Sequence, residues 1–143
     1  MKKKYLIPLV AVVALGGFAA YTFAMPHKTV KEKLNGNLYI LQKQFTINLQ
    51  GGQYASLTVA LLLPPTQSLG VTSPTNPPPT GFGTLTDEAA IRAIITNDVT
   101  DQPASSLITP SGRTQLLARL LHDINSQTDT QVTRVYFTDL AVQ

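Results

Sequence analysis

Nineteen consecutive residues without a charge, Leu6 to Ala24, constrain this chain more than any other feature. At 1.5 Å per residue a helix of that length spans about 28 Å, close to the roughly 30 Å hydrocarbon core of a bilayer. The run carries Leu6, Ile7, Leu9, Val10, Val12, Val13, Leu15, Phe18 and Phe23. Together these favour insertion by about 3–5 kcal/mol. Leu6, Val10, Val13, Phe18 and Phe23 are the expected membrane-anchor residues. Pro8 falls in the first turn, where its missing N–H has no intrahelical partner to lose. Tyr5 and Tyr21 lie near the ends, where amphipathic rings prefer the headgroup zone.

A cleaved signal peptide is the rival reading. Its apolar region spans about 7–15 residues and ends in an Ala-x-Ala-like site; this run is longer, and Thr22-Phe23-Ala24 closes it. A retained transmembrane helix over residues 5–25 is therefore expected. It follows a basic cytoplasmic start, residues 1–4, and precedes a polar, basic stalk, residues 26–37. Lys2, Lys3 and Lys4 balance Lys28, Lys31 and Lys33 across it, so the positive-inside count is a tie. The orientation favoured here places the N-terminus inside and the domain outside.

The net charge of +3 divides unevenly. Residues 1–33 hold six Lys and Glu32, a net +5; residues 34–143 hold five bases and seven acids, a net −2. Nucleic-acid binding requires clustered Lys and Arg on the folded domain, and is rejected. Cysteine is absent, which excludes disulfides, Cys-based zinc sites and a lipidated Cys.

Beyond the stalk, Phe45, Ile47 and Leu49 alternate with Gln44, Thr46 and Asn48, and Leu57, Val59 and Leu61 alternate with Ser56, Thr58 and Ala60. Period two denotes a sheet with one buried face. A three-residue loop, Gly51-Gly52-Gln53, would set Ile47 opposite Leu57 and Phe45 opposite Val59, keeping apolar residues together. Residues 64–80 hold six of the ten prolines and read as an extended, exposed loop.

Thr86 is the expected cap of a helix beginning at Asp87-Glu88, with Ile91, Ile94, Ile95 and Val99 on one arc of about 140°. A second helix is expected after Pro110, capped by Ser111, with Leu116, Leu117, Leu120, Leu121 and Ile124 on its buried face. Gln131 to Val142 reads as a strand. Val135 and Phe137 fall on one face and Leu140 and Val142 on the other, so a bulge or kink is expected near Thr138-Asp139. The order β-β-α-α-β describes a small α+β layer with both helices on one sheet face.

Chemistry is hard to find. The two histidines, His27 and His122, are far apart, and His122 lies about 170° from the centre of its helix's leucine face, so it is expected in water. No serine sits in a nucleophile elbow. Gly51-Gly52 and Gly81-Phe82-Gly83 lack phosphate-loop spacing. Asp87/Glu88, Asp98/Asp101 and Asp123 read as caps and solvated faces. Asp139 interrupts the last strand, where it either braces the bulge or faces a partner chain. No catalytic residue, metal ligand or cofactor is expected, and the domain reads as one that binds or assembles.

Several stretches carry a resemblance: Leu38-Tyr39-Ile40-Leu41, Phe45-Thr46-Ile47-Asn48-Leu49, Tyr54-Ala55-Ser56-Leu57-Thr58-Val59, Glu88 to Ile95, Ser111-Gly112-Arg113, and above all Val135 to Gln143. With the anchor, they resemble the flagellar basal-body-associated FliL family. The resemblance implies an extracytoplasmic FliL-like domain over residues 38–143 with a stomatin-like (SPFH-like) fold. It also implies an inner-membrane location, homo-oligomeric rings around the stator units of the flagellar motor, and a role in torque, swimming or swarming. The long Pro-rich stretch is a departure from the family pattern. The alternative function is an extracytoplasmic adaptor for cell wall or a secreted peptide, contacting it through that stretch.

Overall fold

The computed structural model describes residues 33–67, 69 and 77–143. The anchor, with Leu6, Val10, Val13, Phe18 and Phe23, the cytoplasmic start, most of the stalk and the middle of the Pro-rich loop lie outside the described residues. No helix among the described residues is long and apolar enough to cross a membrane.

The alternating segments form one antiparallel sheet built around a long central strand. Strand β1 is Asn37–Ile40, β2 is Phe45–Asn48, β3 is Tyr54–Leu63 and β4 is Arg134–Val142. β2 pairs with the first half of β3, and β1 pairs with the second half along the same edge. β4 runs along the other edge. Between them lie α1 (Glu88–Val99), the short α2 (Ser105–Ile108) and α3 (Pro110–Gln127). The mixed α+β class and antiparallel sheet match expectation. The element order gains β1 and α2, both four residues long, too short for periodicity to declare them.

The hairpin corrects the predicted register. Its loop is Gln50-Gly51-Gly52, closed by the Leu49 N–H donating to the Gln53 carbonyl at 2.8 Å. Phe45 therefore faces Leu57, and Ile47 faces Ala55. The loop has the expected length but sits one residue earlier. Gly51 and Gly52 take φ of 75° and 77°, the left-handed region glycine enters without a Cβ penalty. Tertiary contacts select the position: Gln50 N–H donates to the Gln102 carbonyl and Asp101 N–H to the Asn48 carbonyl, each at 3.1 Å.

The β4 bulge occurs where the parity switches. Val135 and Phe137 face Leu61 and Val59; after the register shift, Leu140 and Val142 face Leu57 and Ala55. One extra residue, Thr138, thus returns both halves of the strand to the core face. Asp139 lies opposite Thr58 beside the shift and is exposed.

The core joins Tyr39, Phe45, Ile47, Leu57, Val59 and Leu61 of the sheet to Ile91, Ile95, Leu116, Leu120 and Ile124 of the two long helices. Two predicted caps are corrected. Asp87, not Thr86, occupies the N-cap position of α1, and it makes no side-chain cap bond. Its carboxylate instead accepts from the Thr130 hydroxyl at 2.9 Å. Thr109, not Ser111, caps α3: its hydroxyl accepts from the Gly112 N–H at 3.2 Å, with Pro110 at N1. A cap must precede the first helical residue, and Pro110 already has helical geometry. Asn125 holds the turn into β4, donating to the Val132 carbonyl and accepting from its N–H.

Candidate functional site

The described residues gather ionisable groups at the two ends of α1. At its start Glu88 is buried, 2 % exposed, which corrects its reading as a solvated cap. One carboxylate oxygen accepts from the Tyr39 hydroxyl at 2.5 Å and from the Gly83 N–H at 2.7 Å. The Tyr39 oxygen in turn accepts from the Leu85 N–H at 3.3 Å. Burial, and next the hydrogen bond to Glu88, push the Tyr39 hydroxyl's pKa up, so it stays protonated and acts as the donor. The other Glu88 oxygen is enclosed with no partner, which costs about 1–3 kcal/mol.

Glycine is required at position 83. A Cβ there would stand 2.0 Å from the Tyr39 oxygen and 3.0 Å from the bonded Glu88 oxygen. Gly81-Phe82-Gly83 is thus more than a turn, because its backbone approaches the carboxylate directly. The network ties β1, the Gly81-Phe82-Gly83 segment after the Pro-rich loop and the start of α1 together. Arg92, one turn further, reinforces the junction. Its guanidinium lies 4.1 Å from the Phe45 ring centroid and 5.9 Å from that of Phe82, and it donates to the Lys43 carbonyl at 2.9 Å.

At the end of α1, Asp98 meets Asp123 of α3. Burial pushes the Asp98 carboxyl pKa up, the hydrogen bond and repulsion from Asp123 add to this, and Arg119 opposes it. One Asp98 oxygen is enclosed without a partner. The tertiary fold therefore makes a carboxyl pair of residues that sequence spacing left apart.

Both acids were legible on a helical wheel. Counting 100° per residue from Ile91, Glu88 falls near 60° and Asp98 near −20°, inside the arc spanned by Ile94 and Val99. An acid within an apolar arc must find a donor or hold a proton.

Other expected site residues stay apart. His122 is exposed on α3, as its wheel position implies. Among the described residues no three His, Asp or Glu side chains lie close enough to hold a metal ion. The first centre is suited to bracing, since its hydrogen bonds tie the start of α1 to β1; the second sets two carboxyl groups against each other between α1 and α3.

No curated protein matches the chain. A family model described as flagellar basal body-associated protein FliL matches residues 38–143, from the second residue of β1 to the end of the chain. That match contains every strand pairing except Asn37 with Leu63, both long helices and both acid centres, and on it the chain belongs to the FliL family of flagellar basal body-associated proteins.

Proposed function

We propose that this protein is an accessory of the flagellar motor: a membrane-anchored scaffold whose domain assembles as a homo-oligomeric ring around stator units and supports torque. The family match across residues 38–143 carries this reading. The uncharged run Leu6–Ala24 supports a single inner-membrane span, with the N-terminus cytoplasmic and the domain outside. The stomatin-like fold belongs to the same reading, supported by one antiparallel sheet layered with two long helices.

The role is structural rather than catalytic on this account. Glu88 and Tyr39, the most enclosed ionisable pair described, bind each other and the backbone. The scaffold would act by presenting a rigid domain at a fixed place beside the motor. Deleting the gene and measuring the torque of single tethered-bead motors under rising viscous load tests it. Reduced torque, restored by the wild-type gene, is the expected result. Unchanged torque and swimming, with stators still recruited, would overturn it.

A further inference from the structure

Strand β4 borders the sheet on the side away from β1 and β2. Tyr54 and Gln143 exchange both backbone hydrogen bonds, and the Leu62 carbonyl accepts from the Thr133 N–H; the Val59 carbonyl accepts from the Leu41 N–H on the opposite edge. The even-numbered residues of β3 therefore bond toward β4, where Ala141, Asp139, Tyr136 and Arg134 stand in register with them. The residues between, Val135, Phe137, Leu140 and Val142, turn their N–H and C=O groups outward. Among the described residues no backbone bond reaches that outer edge.

The core is also incompletely covered there. Phe137, Leu140 and Val142 pack against it but are only partly buried, as are Leu117 and Leu121 of α3. On the helical wheel these two leucines lie about 120° and 160° from Asp123. Asp123 faces α1, so they face away from it, over the β4 side. The adjoining positions on that side of α3, Thr114, Ala118 and Asn125, are uncharged, and nothing there repels an identical surface.

The strand's own pattern indicates the occupant. Bulges on edge strands turn most partners away, because a regular strand would face Thr138 and Asp139 with one residue of its own. A second copy of β4 brings the same extra residue. The apolar positions Val135, Phe137, Leu140 and Val142 are symmetric about the bond between Thr138 and Asp139. Antiparallel pairing about a two-fold axis at that bond sets Val135 opposite Val142 and Phe137 opposite Leu140, all on the core face. It sets Tyr136 opposite Ala141 on the outer face. Bulge meets bulge, so faces agree along the whole strand, and each outward backbone group meets one from the other copy. Arg134 already has a contact within its own chain, and the pairing does not call on it.

We propose that two copies of the domain pair through β4 in this register, joining two four-stranded sheets into one and laying the two α3 helices side by side over the join. Each copy covers the other's Phe137, Leu140 and Val142. The contact is isologous and closes on itself, so it is additional to the ring proposed above and does not depend on it. Asp139, exposed at the bulge, stands beside the axis, where the two carboxylates oppose the pairing.

The sequence has no cysteine, which allows a direct test in native membranes. Tyr136→Cys and Ala141→Cys are placed in one full-length chain and oxidised mildly. The two positions lie about 17 Å apart along their strand, so a disulfide between them must join two copies. A covalent dimer several-fold more abundant than with either single substitution, and no ladder above it, is expected. A dimer no more abundant than the single substitutions give, in purified protein with the wild-type circular dichroism spectrum, would overturn the register. A ladder of higher species would overturn the two-fold.

A second measurement leaves Tyr136 in place. Val142→Pro removes an N–H that points outward and spares the β3 ladder. Light scattering of the full-length protein in detergent should show its dimer fraction several-fold below wild type, and that of Asp139→Asn above it. A dimer fraction unchanged by Val142→Pro would overturn the edge contact. Rings trapped by a lysine-reactive crosslinker without the disulfide would overturn this pairing and leave the ring standing; the disulfide without rings would do the reverse.

Discussion

The two ends of α1 treat a carboxyl group in opposite ways. Glu88 and Asp98 both fall inside the helix's apolar arc, ten residues apart. Glu88 meets donors, the Tyr39 hydroxyl and the Gly83 N–H. Asp98 meets another acid, Asp123, with Arg119 as partial compensation. Both carboxyl groups are taken out of water, so the outcome depends on which partners the surrounding elements supply. Donors from two other segments make the first end a clamp. A like-charged neighbour makes the second a place where the fold favours a bound proton.

Substitutions at the first end should have the largest effects. Gly83→Ala forces a methyl group into the Tyr39–Glu88 contact, and should lower stability by about 3 kcal/mol through overpacking and a lost hydrogen bond. Urea unfolding followed by circular dichroism would show a reduced midpoint at unchanged slope. An unmoved midpoint would mean that the approach of Gly83 does not brace the junction.

Tyr39→Phe leaves the carboxylate with the Gly83 N–H alone, and should cost about 2 kcal/mol. Combining it with Glu88→Gln sharpens the comparison. Residues in direct hydrogen-bonded contact couple by about 0.5–3 kcal/mol, so the double substitution should cost less than the two single effects added together. Strict additivity would dissolve the clamp.

The second end should respond with the opposite sign and the smallest magnitude. Asp98's raised pKa means that the folded state holds its proton more tightly than the unfolded chain. Its contribution to stability is full below the ordinary aspartate range and is lost as pH rises through the raised value. Asp98→Asn removes that loss. At about pH 7 it should stabilise the domain by less than about 1 kcal/mol, since the partly exposed pair is screened by solvent. Its unfolding midpoint should also fall less than wild type's between about pH 4 and about pH 7. Destabilisation at neutral pH would show that the Asp98 carboxylate has a favourable charged partner.

The sequence by itself determined which side chains face inward and where that pattern breaks. Alternation put Phe45, Ile47, Leu57 and Val59 on one sheet face, the 3.6-residue period set the apolar arcs of both long helices, and the parity switch in the last strand located its bulge. These are local properties, because side-chain direction follows from backbone geometry within a few residues. The hairpin register was open to an error of two, since moving the loop by one residue leaves every side chain on its own face. The backbone of Asp101 and Gln102, some fifty residues away, made that choice.

The acid centres divide in the same way. The helical wheel places Glu88 and Asp98 among isoleucines, but their partners come from β1, the segment ending at Gly83 and α3. Only the tertiary structure decided that one acid meets a phenol and a peptide N–H while the other meets a carboxyl. Periodicity records where a side chain points along its own element. The energy of a buried charge depends on which distant groups arrive beside it, and that is settled when the layers pack.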